Sequence, residues 1–185
     1  MSQTQENLQK AFAGESMART KYNLYGERAR EEGYEGIARI FEETAENEKE
    51  HAERELGFIR GDVKTTGEIK LRPVGTTAEN LKEAIEGESY EATEMYPLFC
   101  KQAEKEGEME IASVFREIGE VEEKHRDRYK DILAHVENGT VFKRDKEIEW
   151  KCLNCGYIHK GKEAPKKCPA CGKPQGWYEP RGYNW

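Results

Sequence analysis

A Glu-x-x-His pair occurs twice in this chain, at Glu48–His51 and at Glu122–His125, each with a further glutamate about one helix upstream, Glu15 and Glu88. On a helix, residues three apart share a face, so each pair offers a carboxylate and an imidazole to one point. Two such helices, plus one glutamate from each of two others, make the inward-facing ligand set of a carboxylate-bridged di-iron bundle. The pattern points to metal redox chemistry rather than to a generic helical protein.

Helical periodicity supports that reading over four segments before residue 140. The first runs from about Thr4 to Glu32, with a stripe of Leu8, Phe12, Glu15, Tyr22, Tyr25 and Ala29. The second, about Glu35 to Arg60, shows Ile37, Phe41, Thr44, Glu48, His51 and Ile59. The third, about Ala78 to Glu106, shows Leu81, Ile85, Glu88, Met95 and Phe99. The fourth, about Glu108 to Glu137, shows Ile111, Phe115, Ile118, Glu122, His125 and Tyr129, and Asn138-Gly139 supplies its stop. The breaks at Gly33 and Gly107 are short, which predicts antiparallel neighbours. Residues 62–77, with Gly67, Pro73 and Gly75, form a longer link. Short, long, short is the connection pattern of a ferritin-like bundle with one crossover.

The halves repeat. Gly14-Glu15-Ser16 matches Gly87-Glu88-Ser89 at an offset of 73, whereas both Glu-x-x-His pairs, and Tyr22 with Tyr96, match at 74. The third helix therefore gains one residue between Glu88 and Tyr96. A π-bulge absorbs such a residue, and Pro97 nearby, lacking a backbone donor, favours irregularity there.

Charged residues make up 36% of the chain, so most glutamates must be solvated surface. These glutamates instead fall on apolar stripes, where an unpaired charge is costly and a metal supplies the compensation. The competing reading is a purely structural polar core. His135 and His159 lack a paired carboxylate and read as satisfied core residues; His51 and His125 sit in matching positions of the repeat. Mixed imidazole and carboxylate ligation suits iron or manganese. Glu91 lies one turn after Glu88, while its repeat partner is Ala18. Four carboxylates neutralise two ferrous ions and a fifth suits the diferric state, so Glu91 and His51 are expected to compete for one iron. Tyr22 and Tyr96 are placed to hydrogen-bond ligating carboxylates, or else are core aromatics.

Composition changes near residue 140. All three tryptophans, four of six prolines and four of five cysteines lie beyond it. Cys152-x-x-Cys155-Gly156 and Cys168-x-x-Cys171-Gly172 read as two knuckles holding one tetrahedral ion, zinc or iron. Beside a di-iron site that needs electrons, iron is the better choice. Cys100 stands apart and reads as a small buried hydrophobe. Residues 141–185 carry a net charge of +5 and the remainder −12, so the tail could dock on a bundle, its own or a neighbour's. A net charge of −7 and a mean hydropathy of −1.00 argue against nucleic-acid binding and against a membrane span. The polar N-terminus lacks the apolar core of a signal peptide, so the expected location is cytoplasmic.

Taken in order, Glu15, Glu48-x-x-His51, Glu88-x-x-Glu91, Glu122-x-x-His125 and the two C-x-x-C-G knuckles resemble the rubrerythrin family over nearly the whole chain. The resemblance implies an all-α ferritin-like four-helix bundle over residues 1–140 and a small C-terminal rubredoxin-like domain over residues 147–185. It implies a di-iron centre, one further iron on the four cysteines, and reduction of hydrogen peroxide to water in oxidative-stress defence. It also implies an iron shift between Glu91 and His51, and dimers in which one subunit's cysteine site lies near the other's di-iron site. Tyr22 and Tyr96 join Glu91 and His51 as expected participants in the chemistry. No G-x-G-x-x-G fingerprint occurs, so an external electron donor is expected, a rubredoxin or an NAD(P)H-dependent reductase. Two alternatives stay open: a ferroxidase that handles iron, and a zinc-stabilised binding module with an inactive bundle.

Overall fold

The computed structural model describes residues 2–61 and 72–182. Gly67 of the expected link and Trp185 lie outside them. Helix α1 (Gln3–Glu31) starts at Ser2, whose side chain accepts from the Gln5 amide, and it turns at Gly33 into α2 (Glu35–Leu56). Helix α3 (Thr77–Tyr90) opens on a capping box made by Thr76 and Glu79. After α4 (Tyr96–Lys105) the chain turns at Gly107 into α5 (Met109–Glu137). The two hairpins pack on one another as a four-helix bundle. Among the described residues, no helix is long and apolar enough to cross a membrane.

The third helix expected from the sequence comes in two pieces, α3 and α4. Between them Glu91–Met95 form a π turn, in which the Tyr96 amide donates to the Glu91 carbonyl five residues back. This is where the repeat offset steps from 73 to 74, and Pro97 follows at once. A donor missing at Pro97 costs least where the regular ladder is already broken.

The hairpins are tied together by a reciprocal device. The Glu32 carboxylate, at the end of α1, accepts the Thr77 amide at the start of α3, with oxygens at 3.2 and 3.1 Å. The Glu106 carboxylate, at the end of α4, accepts the amides of Gln3 and Thr4 at 3.1 and 3.0 Å. Each helix start thus has orphan donors satisfied by a carboxylate from the other half, with the favourable sign for the helix dipole.

The apolar stripes build two core clusters. Leu8, Tyr96, Phe99, Ile111 and Phe115 lead one, in which Cys100 is also buried; Tyr22, Tyr25, Phe41, Leu81 and Tyr129 lead the other. A third and smaller cluster, Trp150, Cys152, Ala164, Cys168 and Tyr178, belongs to the tail. There β1 (Lys143–Cys152), β2 (Ile158–Glu163) and β3 (Tyr178–Pro180) form an antiparallel sheet ordered β2-β1-β3, with Trp150 opposite both His159 and Pro180. His135 and His159 are half-buried rather than core residues, and Nδ1 of His135 meets Thr140 Oγ1 at 2.8 Å. The tail rests on the α1–α2 turn, where Tyr34 stacks on Phe142 with centroids 6.0 Å apart and Arg39 lies 5.8 Å from the Trp177 ring.

Candidate metal centre

The expected carboxylates and imidazoles converge within the bundle, one carboxylate-bearing element from each wall. Glu15, Glu48, His51 and Glu122 form one group and Glu48, Glu88, Glu122 and His125 a second, with ligand atoms mutually within 4.8 Å in each. Glu48 and Glu122 belong to both. Nδ1 of His51 lies 3.0 Å from Glu48 Oε2 and 2.9 Å from Glu122 Oε1; Nδ1 of His125 lies 3.4 Å from Glu48 Oε1 and 2.8 Å from Glu122 Oε2. Each shared carboxylate therefore turns one oxygen to each side, as a bridge between two ions must. Glu15 serves only the His51 side and Glu88 only the His125 side.

The donor atoms fit a cation better than they fit one another. Glu15 Oε2, Glu48 Oε1, Glu88 Oε2, both Glu122 oxygens and His125 Nδ1 are buried with no hydrogen-bond partner among the described residues. Folded proteins leave few such atoms, so their convergence on one point marks a place built for positive charge. Electrostatics says the same. Burial pushes the Glu15 carboxyl well above its usual range and Glu88 up to about 8, with neighbouring carboxylates adding to both. Burial opposes charge on the imidazoles too, yet the surrounding carboxylates outweigh it, raising His125 to about 12 and pushing His51 well above its usual range. Burial also raises Glu48, but the two imidazolium groups beside it hold it down at about 2. A metal pair between these groups meets the same demand for positive charge.

Two tyrosines cross between the halves. The Tyr22 hydroxyl donates to Glu88 Oε1 at 2.5 Å, and the Tyr96 hydroxyl is bonded to Glu15 Oε1. Glu91 lies outside both four-residue groups. It begins the π turn, half-buried, and its Oε1 lies 3.9 Å from where a Cβ on Gly14 would stand, beside Glu15. Burial and the charge on Glu15 push its carboxyl well up.

The sequence reading missed Glu55, fully buried on α2 one turn after His51, with Oε1 3.0 Å from the Tyr96 hydroxyl. Burial raises its carboxyl to about 8. Its signal was its place on the same stripe, four residues beyond His51, and its repeat partner Tyr129, an aromatic core residue.

In the tail, Cys152 Sγ lies 3.7 Å from Cys171 Sγ and Cys155 Sγ lies 3.6 Å from Cys168 Sγ. Gly156 and Gly172 close the knuckles at φ 77° and 76°, each donating to the carbonyl of the first cysteine of its pair at 2.9 Å. A Cβ would resist that backbone, so each C-x-x-C needs its glycine. Four thiols within 4.8 Å of one another suit one tetrahedral ion.

Comparison with known proteins agrees with this geometry. A family profile described as Rubrerythrin matches residues 6–133, and one described as the rubredoxin-like domain of rubrerythrin matches residues 150–179. The chain is 50% identical to a rubrerythrin of Porphyromonas gingivalis, over 100% of this chain and 92% of that protein. It is 43% identical to a rubrerythrin of Nitratidesulfovibrio vulgaris, over 100% and 97%. Among solved structures, a nigerythrin in a mixed-valence state superposes with a TM-score of 0.67 at 33% identity, covering 98% of this chain and 88% of that one.

Proposed function

The chain belongs to the rubrerythrin family, an oxidoreductase family of di-iron proteins, and on that premise we propose that it is a peroxidase reducing hydrogen peroxide to water. The observation that carries the reading is the pair of ligand groups sharing Glu48 and Glu122. These residues would hold two ferrous ions, which would supply two electrons, as many as hydrogen peroxide takes, with two protons, to become two waters.

The chain's own residues set the conditions for that chemistry. Glu48 and Glu122 would bridge, Glu15 with His51 and Glu88 with His125 would complete the two ends, and Tyr22 and Tyr96 fix the end carboxylates by hydrogen bonds. Apolar clusters on both sides exclude water. Glu91 and His51 would be alternative ligands on the Glu15 side, the carboxylate favoured where the site carries more positive charge, because a fifth carboxylate offsets it. Crystal structures in the reduced and oxidised states test this; identical metal positions would refute the exchange.

The cysteine knuckles would hold iron and pass electrons in singly from an external donor. Within one chain the route is long. Leu153, beside Cys152, touches α2 at Gly36, twelve residues before Glu48, which is about 18 Å of helix. A second subunit presenting its tail to this bundle shortens the path, and the opposite charges of tail and bundle favour such pairing. Reduced thiolates fit a cytoplasmic setting.

Metal analysis and peroxide turnover test the proposal together. Three irons per chain, with visible thiolate-to-iron bands that bleach on reduction and return with peroxide, are the expected result. Zinc on the cysteines with no peroxide consumption overturns it. Ferrous ion oxidised in large excess over bound metal, with peroxide untouched, would instead establish the ferroxidase.

A further inference from the structure

Two carboxylates near the site have no acidic counterpart in the repeat, and both lie toward Glu15. Glu91 stands where the repeat has Ala18, and Glu55 stands where it has Tyr129. Glu91 enters the proposed exchange of ligands; Glu55 is unused by it.

Glu55 is 0% exposed. Its Oε2 has no partner among the described residues, and its Oε1 meets only the Tyr96 hydroxyl, at 3.0 Å. The hydrogen-bond count at Tyr96 is decisive. The hydroxyl carries one hydrogen but stands within reach of two carboxyl oxygens, Glu15 Oε1 and Glu55 Oε1. It can donate to one, so the other contact is sound only if that carboxyl brings its own proton. Glu15 is the expected ligand and faces His51, whereas Glu55 sits beyond Tyr96 with an orphan oxygen and no cation bonded to it. A carboxyl so placed is neutral and donates to the Tyr96 oxygen. Gly119 leaves room for the tyrosine, since a Cβ there would stand 3.0 Å from Tyr96 Cβ.

We propose that Glu55 is a proton reservoir for the Glu15 side of the site, acting through the Tyr96 hydroxyl. The Glu55 O–H bond breaks as its proton passes to the Tyr96 oxygen, and the Tyr96 hydrogen passes in the same movement to Glu15. Glu55 ends as a carboxylate, Tyr96 is unchanged, and Glu15 gains one of the two protons that peroxide reduction consumes. No electron moves in the step. Glu55 touches no reacting atom, so it is a positioning and proton-supplying residue rather than a catalytic one. The Glu88 side has no counterpart: Tyr22 donates to Glu88, and behind it stands Tyr129, whose proton is far less acidic. The inference rests on the peroxidase reading for its purpose, but not for its chemistry.

Two arms test it. Infrared spectra of the protein loaded with zinc, a redox-inert ion that keeps Glu15 and Glu88 as carboxylate ligands, should show at neutral pH a neutral carboxyl band, sensitive to deuterium, that Glu55→Gln removes; a band unchanged in the variant overturns the proposal. This arm decides the matter whether or not the protein proves a peroxidase. In the iron-loaded protein, Glu55→Gln keeps a donor to Tyr96 and so keeps the geometry, but it has no proton to give. Single-turnover oxidation by peroxide should slow about tenfold or more at equal iron content, with a changed solvent isotope effect. Wild-type kinetics in Glu55→Gln, with slowing only in Glu55→Leu, would show that Glu55 merely holds Tyr96 in place, and the relay would be wrong.

Discussion

The Tyr22 hydroxyl reaches from α1 across to Glu88 on α3, so one end of the site depends on a side chain from the other hairpin. Such partners orient ligands and tune their basicity, and losing one commonly costs 10–100-fold in metal affinity. Tyr22→Phe should therefore weaken the second ferrous ion by about that factor while lowering stability by only about 1–2 kcal/mol. Anaerobic iron titration beside thermal unfolding checks this; unchanged affinity would make Tyr22 a core aromatic and nothing more. The difference between Tyr22 and Glu55 shows what a sequence discloses at this scale. Glu15, Glu48, His51, Glu88, Glu122 and His125 were legible because they fall on apolar stripes and repeat. Glu55 shares the stripe but breaks the repeat, on a helix crowded with solvated glutamates, so only its burial and the Tyr96 contact reveal it. Glu91 was legible as an addition, but its displacement from both ligand groups follows from the π turn that begins with it.

At the scale of elements, the reciprocal caps explain why Thr4 and Thr77, both helix-start residues, are fully buried. Glu106 accepts two backbone amides at the start of α1 and the Gln102 side-chain amide, and hydrogen bonding, from the Thr4 side chain first, then Gln102, then the two amides, holds its carboxyl at about 2 against 4.5 for the free group. A depressed carboxyl stabilises the fold above its unfolded value and loses that contribution as pH falls toward its folded value. Glu106→Gln should therefore lower the melting temperature at neutral pH, and the gap from wild type should close between about pH 4.5 and pH 2. A gap constant over that window would show that charge plays no part in the cap. Helix boundaries read from periodicity came within a few residues, because the stripes are long. The interruption of the third helix was readable only as a one-residue slip in the repeat; its form as a π turn depends on which backbone carbonyl Tyr96 finds.

The whole molecule joins two bodies of unequal strength. The bundle has two apolar clusters, whereas the tail's buried cluster is five residues, two of them cysteines. So small a core needs its metal. Stripping the cysteine site with a chelator should abolish the near-ultraviolet signal of Trp150 while leaving the helical far-ultraviolet signal intact; survival of both would mean the tail folds unaided. The tail's seat on the bundle was not legible in the sequence, which gave only opposite charges. It depends on a close approach of two glycine backbones. A Cβ at Gly176 would run into the Gly33 carbonyl, and Gly33 itself turns the chain at φ 84°. Gly176→Ala must therefore open this contact, because backbone on one side and a turn on the other leave nothing to yield. Since Glu48 lies thirteen residues, about 20 Å of helix, past the start of α2 at Glu35, iron binding and single-turnover oxidation by peroxide should be unchanged. On the proposed function steady-state turnover should fall several-fold, because it alone would require the cysteine site to be held where electrons are passed on. The connection around Gly139 should become more open to protease at the same time. A variant with full steady-state activity and a loosened tail would show that electrons reach the bundle without this seating, and would place the electron-passing contact elsewhere on the tail's surface.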